Sequence, residues 1–499
     1  MMERRERCVR WYYSRPVIIV ALVLAYPVGV ALLVRSPRPR RWEKIAAPIG
    51  FLPLFLAAAL LALEPFWEFD GDMNLSGFRF DFDRLWQYRR LERQRARRVE
   101  DFSAGVVGKA AADAPRWTDF RGPRRDGVVT NAGISLDWEA RPPREVYRQP
   151  IGEGYASFAV GFGRAYTLEQ RRGDEAVTCY DFATGRELWI HEYAGRFEEV
   201  LGGDGPRATP TLHGDRLYAL GAEGRLHCLN ALTGAVLWSR NILTDAGDRN
   251  LEWGLSGSPL VIDGRVVVTG SGHTGPSVMA YDEITGEPAW TSDVGLQSYA
   301  SLAVTTLGGV RQILDFAGRA IHGLDPATGA VLWTYPWETP YAVNVAQPLT
   351  IGTDRVFVSS GYGMGSGVLD ITREDCVFRA TSMWHSTKLR NKFSSSVYHG
   401  GYLYGLNKDV LVCLDAETGE RRWNGRRYGF GSLLLVDDHL LVLSERGELA
   451  LVRATPDSFE ELGRIRIFAN RTWNNFVVVD GRLLARNHKE MACYTVGGK

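Results

Sequence analysis

The sequence lacks every cysteine arrangement that carries chemistry. Its six cysteines, Cys8, Cys179, Cys228, Cys376, Cys413 and Cys493, include no CxxC, no CxxCH and no adjacent pair, which excludes covalent haem attachment and zinc-finger sites. Histidine is equally unproductive. His213, His273, His322, His385, His399, His439 and His488 are scattered without ligand spacing and read as turn or strand residues. A dominant charge is also missing: the formal net charge is +1 over 499 residues, so no global field recruits nucleic acid or acidic substrates. The glycine-rich stretch 361–367 (GYGMGSG) lies between strand-like runs instead of opening a helix, so it reads as a hairpin and not a phosphate loop.

What the sequence has in quantity is an internal repeat. Residues 228–238 read CLNALTGAVLW, and the same frame returns as CYDFATGRELW at 179–189, AYDEITGEPAW at 280–290, GLDPATGAVLW at 323–333 and CLDAETGERRW at 413–423. Each copy has a compact residue, Asp or Asn two places on, a Thr-Gly pair, and Trp ten places after the start. Asp181, Asn230, Asp282, Asp325 and Asp415 can hydrogen-bond the backbone of a tight turn, while Gly185, Gly234, Gly286, Gly329 and Gly419 tolerate the positive φ of a hairpin loop. The frame is therefore strand, turn, strand. Trp189, Trp238, Trp290, Trp333 and Trp423 fall on the second strand, where a flat ring can pack over a small residue of a neighbouring unit.

These tryptophans stand 49, 52, 43 and 90 residues apart, so one degenerate copy is expected in the last gap, near 377–388, where Trp384 survives without Thr-Gly. Two further strands precede each copy, as in ATPTLHGDRLYAL at 208–220 and GSPLVIDGRVVVT at 257–269. Four strands per unit of about 47 residues is a propeller blade, and the length from Asn131 onward accommodates eight. The last unit runs through MACY at 491–494, and its missing outer strand is expected from 145–149 (EVYRQ), with Tyr147 in the Trp position. Pairing the two ends in this way closes the ring and removes exposed sheet edges. Cys179, Cys228, Cys413 and Cys493 occupy one place in four blades and read as small buried packing residues. The expected fold is all-β: an eight-bladed β-propeller, residues 117–499, with N-terminal transmembrane helices.

The N-terminal part divides into a basic tail, residues 1–15, and two uncharged apolar runs, 16–34 and 46–63, each long enough to be expected to span a bilayer. RSPRPRR at 35–41 is no small-residue cleavage site, which argues against a removed signal peptide. Basic residues flank the first run on both sides, but the second is followed by acidic EPFWEFDGDMN, favouring that side as non-cytoplasmic. Residues 64–116 are expected to be a juxtamembrane helix, about 83–99, and a linker. The helix reads as a solvated spacer, with contact to anionic headgroups as the alternative.

The frame resembles the tryptophan-docking motif of PQQ-type propellers, the family of quinoprotein dehydrogenases and of the outer-membrane β-barrel assembly propeller lipoprotein. With FRGPRRDG at 120–127 leading into the propeller, the layout is similar to membrane-anchored bacterial PQQ-like repeat proteins. The resemblance implies a propeller on the periplasmic side of a membrane, with protein partners. In propellers the loops entering the innermost strands crowd around one channel mouth. Here those loops bring Arg207, Glu252, Trp253, Asn344, Gln347, Lys392, Trp473 and Asn474 as a polar and aromatic ring fit for a small anionic or planar ligand. A quinoprotein dehydrogenase implies PQQ with Ca²⁺, an Asp base and, in alcohol-oxidising members, an adjacent cysteine disulfide. No adjacent Cys pair exists, no Asp stands among these mouth residues, and Glu252 with Asn344 is the one carboxylate and amide combination for a metal. The expected role is a non-catalytic binding or assembly scaffold. The alternative is a PQQ-dependent oxidoreductase.

Overall fold

The computed structural model describes residues 26–35, 43–62, 65–69, 75–80, 89–93, 116–199 and 201–497. It separates into two compact units, residues 1–86 and 87–499.

In the first unit, a helix at Tyr26–Arg35 and a helix at Glu43–Ala62 meet around buried Leu33, packed by Val30, Leu32, Ala47 and Phe51. An antiparallel pair, Pro65–Phe69 with Leu75–Phe80, follows. Of the expected span 16–34 only Tyr26–Arg35 is described, as helix, and the expected span 46–63 falls in the helix Glu43–Ala62. The second helix carries Glu43 and Lys44 at its start and Pro48 and Pro53 inside it. Among the described residues no helix is long and apolar enough to cross a membrane. Residues 1–15 and 16–25 lie outside the described residues, as does most of the expected helix at 83–99. Its portion 89–93 is helical, with Leu91 buried.

The second unit is the propeller, with eight antiparallel blades. Blade 1 runs Ala159–Gly161, Arg164–Arg171, Asp174–Asp181, Glu187–Ala194, and the innermost strands of blades 2 to 8 begin at Thr211, Leu260, Ala303, Leu349, Val397, Ser432 and Val477. Blade 8 takes its outer strand from the start of the domain. Arg144–Pro150 pairs with Glu490–Thr495 and sets Tyr147 opposite Cys493, in the same register as Cys179 opposite Trp189 and Cys228 opposite Trp238.

The repeat frame works as a clamp between consecutive blades. Asp181 accepts from the Thr184 amide at 2.8 Å and the Thr184 hydroxyl at 2.7 Å, closing the turn so that Gly185 takes φ +71°. The ring of one blade lies on the turn glycine of the next: a Cβ added at Gly234 would meet Trp189 Cδ2 at 2.7 Å, and one at Gly286 would meet Trp238 Cδ2 at 2.6 Å. The indole N–H then donates to the carbonyl one residue past the turn Asp or Asn. Trp189 reaches Ala231 at 3.1 Å, Trp238 Glu283 at 3.2 Å, Trp290 Pro326 at 3.1 Å and Trp384 Ala416 at 2.9 Å. Tyr147 closes the ring with a 3.3 Å bond from its hydroxyl to Phe182 O. The ring thus docks on glycine of the following blade, while its small cross-strand partner belongs to its own blade. The four motif cysteines are buried and free.

Two blades depart from the frame. In blade 5, Asp370 holds the turn position, but the hairpin continues for four more cross-strand pairs, from Ile371–Ala380 to Glu374–Val377. No turn glycine is left there for Trp333, whose indole bonds Gln312 Oε1 of its own blade at 2.7 Å. In blade 7, Gly463 stands opposite Leu451 where a tryptophan is expected, and Trp138 of the entering segment fills the space, its Cβ 2.7 Å from the Cβ position of Gly463.

Candidate functional site

The end of the channel opposite the loops that enter the innermost strands is occupied by the protein itself. Residues 116–131 cross it as a plug: Trp117 pairs with Val160 of blade 1, Leu212 N donates to Thr118 O, and Val128–Val129 adds in parallel to Ser432–Val436 of blade 7. Gly122 and Gly127 at positive φ bend the segment so that two arginines enter the core of the ring. Arg125 donates to Leu302 O at 2.9 Å, Ser258 O at 3.3 Å, Thr211 Oγ1 at 3.3 Å and Pro259 O, bridging blades 2, 3 and 4. Its charge is balanced by Asp119 at 3.0 Å. Arg121 donates to Ser395 O at 3.2 Å and Ser396 O at 2.7 Å in blade 6, and burial lowers its pKa to about 10. FRGPRRDG is therefore a structural plug, a role that sequence reading left unassigned.

The open mouth carries an alternation of aromatic rings and cations. The Arg207 guanidinium lies 4.6 Å from the Phe197 ring and 5.7 Å from the Tyr155 ring, held by bonds to Gly205 O at 2.6 Å and Gly203 O at 2.7 Å. Burial moves its pKa downward. Tyr155 is 5.9 Å from Trp473, which is 5.0 Å from Phe393. Arg471 stacks on Trp473 at 4.0 Å and donates to the Tyr155 hydroxyl at 2.8 Å. Lys392, buried, sits with Nζ 5.2 Å from Tyr362, 5.5 Å from Phe393 and 5.2 Å from Phe430. Each such contact contributes on the order of 0.5–2 kcal/mol, and together they hold the rings in place. Trp253 packs on Tyr299 at 5.6 Å and shares the surroundings of Gly202 with Arg207.

The structure therefore joins Arg207, Lys392 and Trp473 through shared aromatic neighbours and brings Trp253 to the Arg207 edge. It does not join the other four candidates to them. Asn344 is wholly buried and spent on the scaffold: its amide donates to Ala317 O at 2.7 Å and Gly318 O at 3.3 Å, and Oδ1 accepts from the Ser360 hydroxyl at 2.5 Å. Asn474 and Gln347 are also buried, their amides tied to Gly154 O, Ala156 O and Leu302 O. Glu252 is exposed. The Glu252 and Asn344 donor set does not fit a Ca²⁺ ion, because the amide oxygen is already taken and one residue is buried while the other is exposed. Among the described residues no group of three or more His, Cys, Asp or Glu is placed to hold a metal. Arg471, Phe197 and Tyr362 were not expected at the site. Arg471 had a signal, standing two residues before Trp473, whereas Phe197 and Tyr362 lie outside the loops that the repeat frame locates.

A family model described as outer membrane protein assembly factor BamB matches residues 173–425. The chain belongs to that family. The BamB of Shewanella oneidensis is 30% identical over 320 residues, covering 60% of this chain and 68% of that one. The quinohemoprotein alcohol dehydrogenase ADH IIB of Pseudomonas putida is 33% identical over 119 residues, 23% of this chain. This match spans only 17% of the dehydrogenase. The crystal structure of BamB from Moraxella catarrhalis superposes with a TM-score of 0.53 at 17% identity, covering 71% of this chain and 99% of that one, a likeness of fold. Membership of the BamB family accounts for the docking frame and the ring, and leaves open what the mouth binds.

Proposed function

We propose that this protein is a non-catalytic binding or assembly scaffold acting outside the cytoplasm, with the aromatic and cationic mouth as its recognition surface for a protein partner. The observation that carries this reading is the rim itself. Partly exposed Trp473, Tyr155, Phe393 and Trp253 are held by Arg207, Arg471 and Lys392, and Trp, Tyr and Arg are the side-chain types that dominate interface energetics. BamB relatives, named as assembly factors, support a partner-binding role. The quinoprotein alternative finds less support, since the residues that were candidates for its metal are spent on the backbone or stand apart.

The test is a photo-crosslinking amino acid placed at Phe393 of the full chain in living cells, with a second at the rim-distant Leu237. A discrete protein adduct from position 393, absent from position 237 and lost on Trp473→Ala, is expected. Equal labelling from both positions, or none from 393, contradicts the proposal.

A further inference from the structure

A second concave site lies at the plugged end. A cavity of about 770 Å³ opens between the two limbs of the plug and the tip of blade 8, within the size range of small-molecule sites. Its charged lining is three arginines, Arg116, Arg124 and Arg482, against one carboxylate, Asp480, and Trp117 and Val478 are among its apolar walls. Asp480 is committed to Arg116 at 2.6 Å, and Arg124 reaches Asp126 at 2.8 Å. Arg482 makes no ion pair among the described residues, and its guanidinium rests 6.0 Å from the Phe182 ring. The three cations come from two pieces of chain, residues 116 and 124 from the plug and residue 482 from the closing blade. The site therefore exists only when the ring is closed and the plug is seated.

We propose that this cavity binds a phosphate group, with Arg482 as its principal anchor and Arg116 and Arg124 as flanking cations. Planar guanidinium forks match phosphate oxygens in pairs, and a cluster of them without enough carboxylates is a phosphate site by its chemistry. Asp480 is the internal competitor: it occupies Arg116 with the charge that the ligand would otherwise supply. The apolar walls admit a carbon skeleton, so the phosphate belongs to a free phosphoester or to a lipid headgroup.

The experiment is titration calorimetry of the full chain with sn-glycerol 3-phosphate and inorganic phosphate, beside flotation with vesicles of phosphatidylglycerol in phosphatidylcholine and of phosphatidylcholine alone. Saturable binding of the soluble probes without flotation identifies a free phosphoester. Flotation on the anionic vesicles alone identifies a headgroup. In either case Arg482→Gln weakens binding about tenfold, and Asp480→Asn, which frees Arg116 and suits the left-handed backbone at φ +51°, strengthens it severalfold. A merely structural role for Asp480 would not produce that gain. No binding in any arm, binding unchanged in both variants, or binding lost only with the mouth variant Arg207→Gln overturns the proposal.

Discussion

At the scale of single residues, the docking glycines are as necessary as the tryptophans. Gly234 holds φ +75° with the Trp189 ring against it, so Gly234→Ala adds both backbone strain and a 2.7 Å collision. The expected loss is about 2–4 kcal/mol, read as a lower midpoint in denaturant melts. Trp189→Ala should cost about 3–5 kcal/mol by cavity formation. Asp315 behaves differently. Buried in blade 4, with Gln297 Nε2 at 2.8 Å as its side-chain donor among the described residues, its carboxyl is pushed by burial from 3.8 up to about 7. A carboxyl whose folded pKa lies above its unfolded value favours the fold when protonated, so its contribution is present below pH about 4 and is lost as pH rises towards 7. Asp315→Asn should remove that part of the pH dependence of stability between about 4 and 7, measured by urea melts of mutant and parent across the window. Identical pH profiles would contradict the assignment. Among these residue-scale features the positive φ of the turn glycine and the reach of the Trp to a neighbouring blade were legible in the eleven-residue frame, but the expected seat on a small residue of that neighbour was not met: the ring lies on the next blade's turn glycine, and the small residue faces it within its own blade. Asp315 was not legible, because its hydrogen-bond donor Gln297 is eighteen residues away on a loop.

At the scale of elements, blade closure was legible for the same reason: Tyr147 keeps the Trp position of the frame although it is 346 residues from Cys493. The blade 5 hairpin was legible only in part. Trp384 marked the hidden copy, but the four pairs beyond Asp370 carry no Thr-Gly signal, and only the strand register reveals them. They add about 13 Å of ribbon, which leans on blade 4 through Arg373 Nη1 to Gly308 O at 3.4 Å. Replacing residues 371–380 by the short turn of blade 6 supplies a glycine where Trp333 has none. The expected result is a folded protein whose melting temperature falls by no more than a few degrees, since exposed strand is removed along with buried Ile371. A cooperative transition lost altogether would show that the extension is essential to the ring.

At the scale of the whole molecule, the plug ties distant blades together, which is why sequence reading did not find it: Arg125 meets acceptors 86, 133, 134 and 177 residues away, and Arg121 meets one 275 away. No local pattern records such contacts. Arg125→Ala would leave several buried carbonyls and Asp119 without their donor, a change expected to cost about 3–5 kcal/mol and to be little affected by salt. Scanning calorimetry at low and high ionic strength measures both. The mouth rests on this closed ring, and its reading as a recognition surface, not a redox centre, is the central claim. The most direct test is calorimetric titration of the full chain with PQQ and Ca²⁺. The account predicts no saturable heat. Micromolar or tighter binding that Glu252→Ala weakens would contradict it and make the mouth a cofactor site.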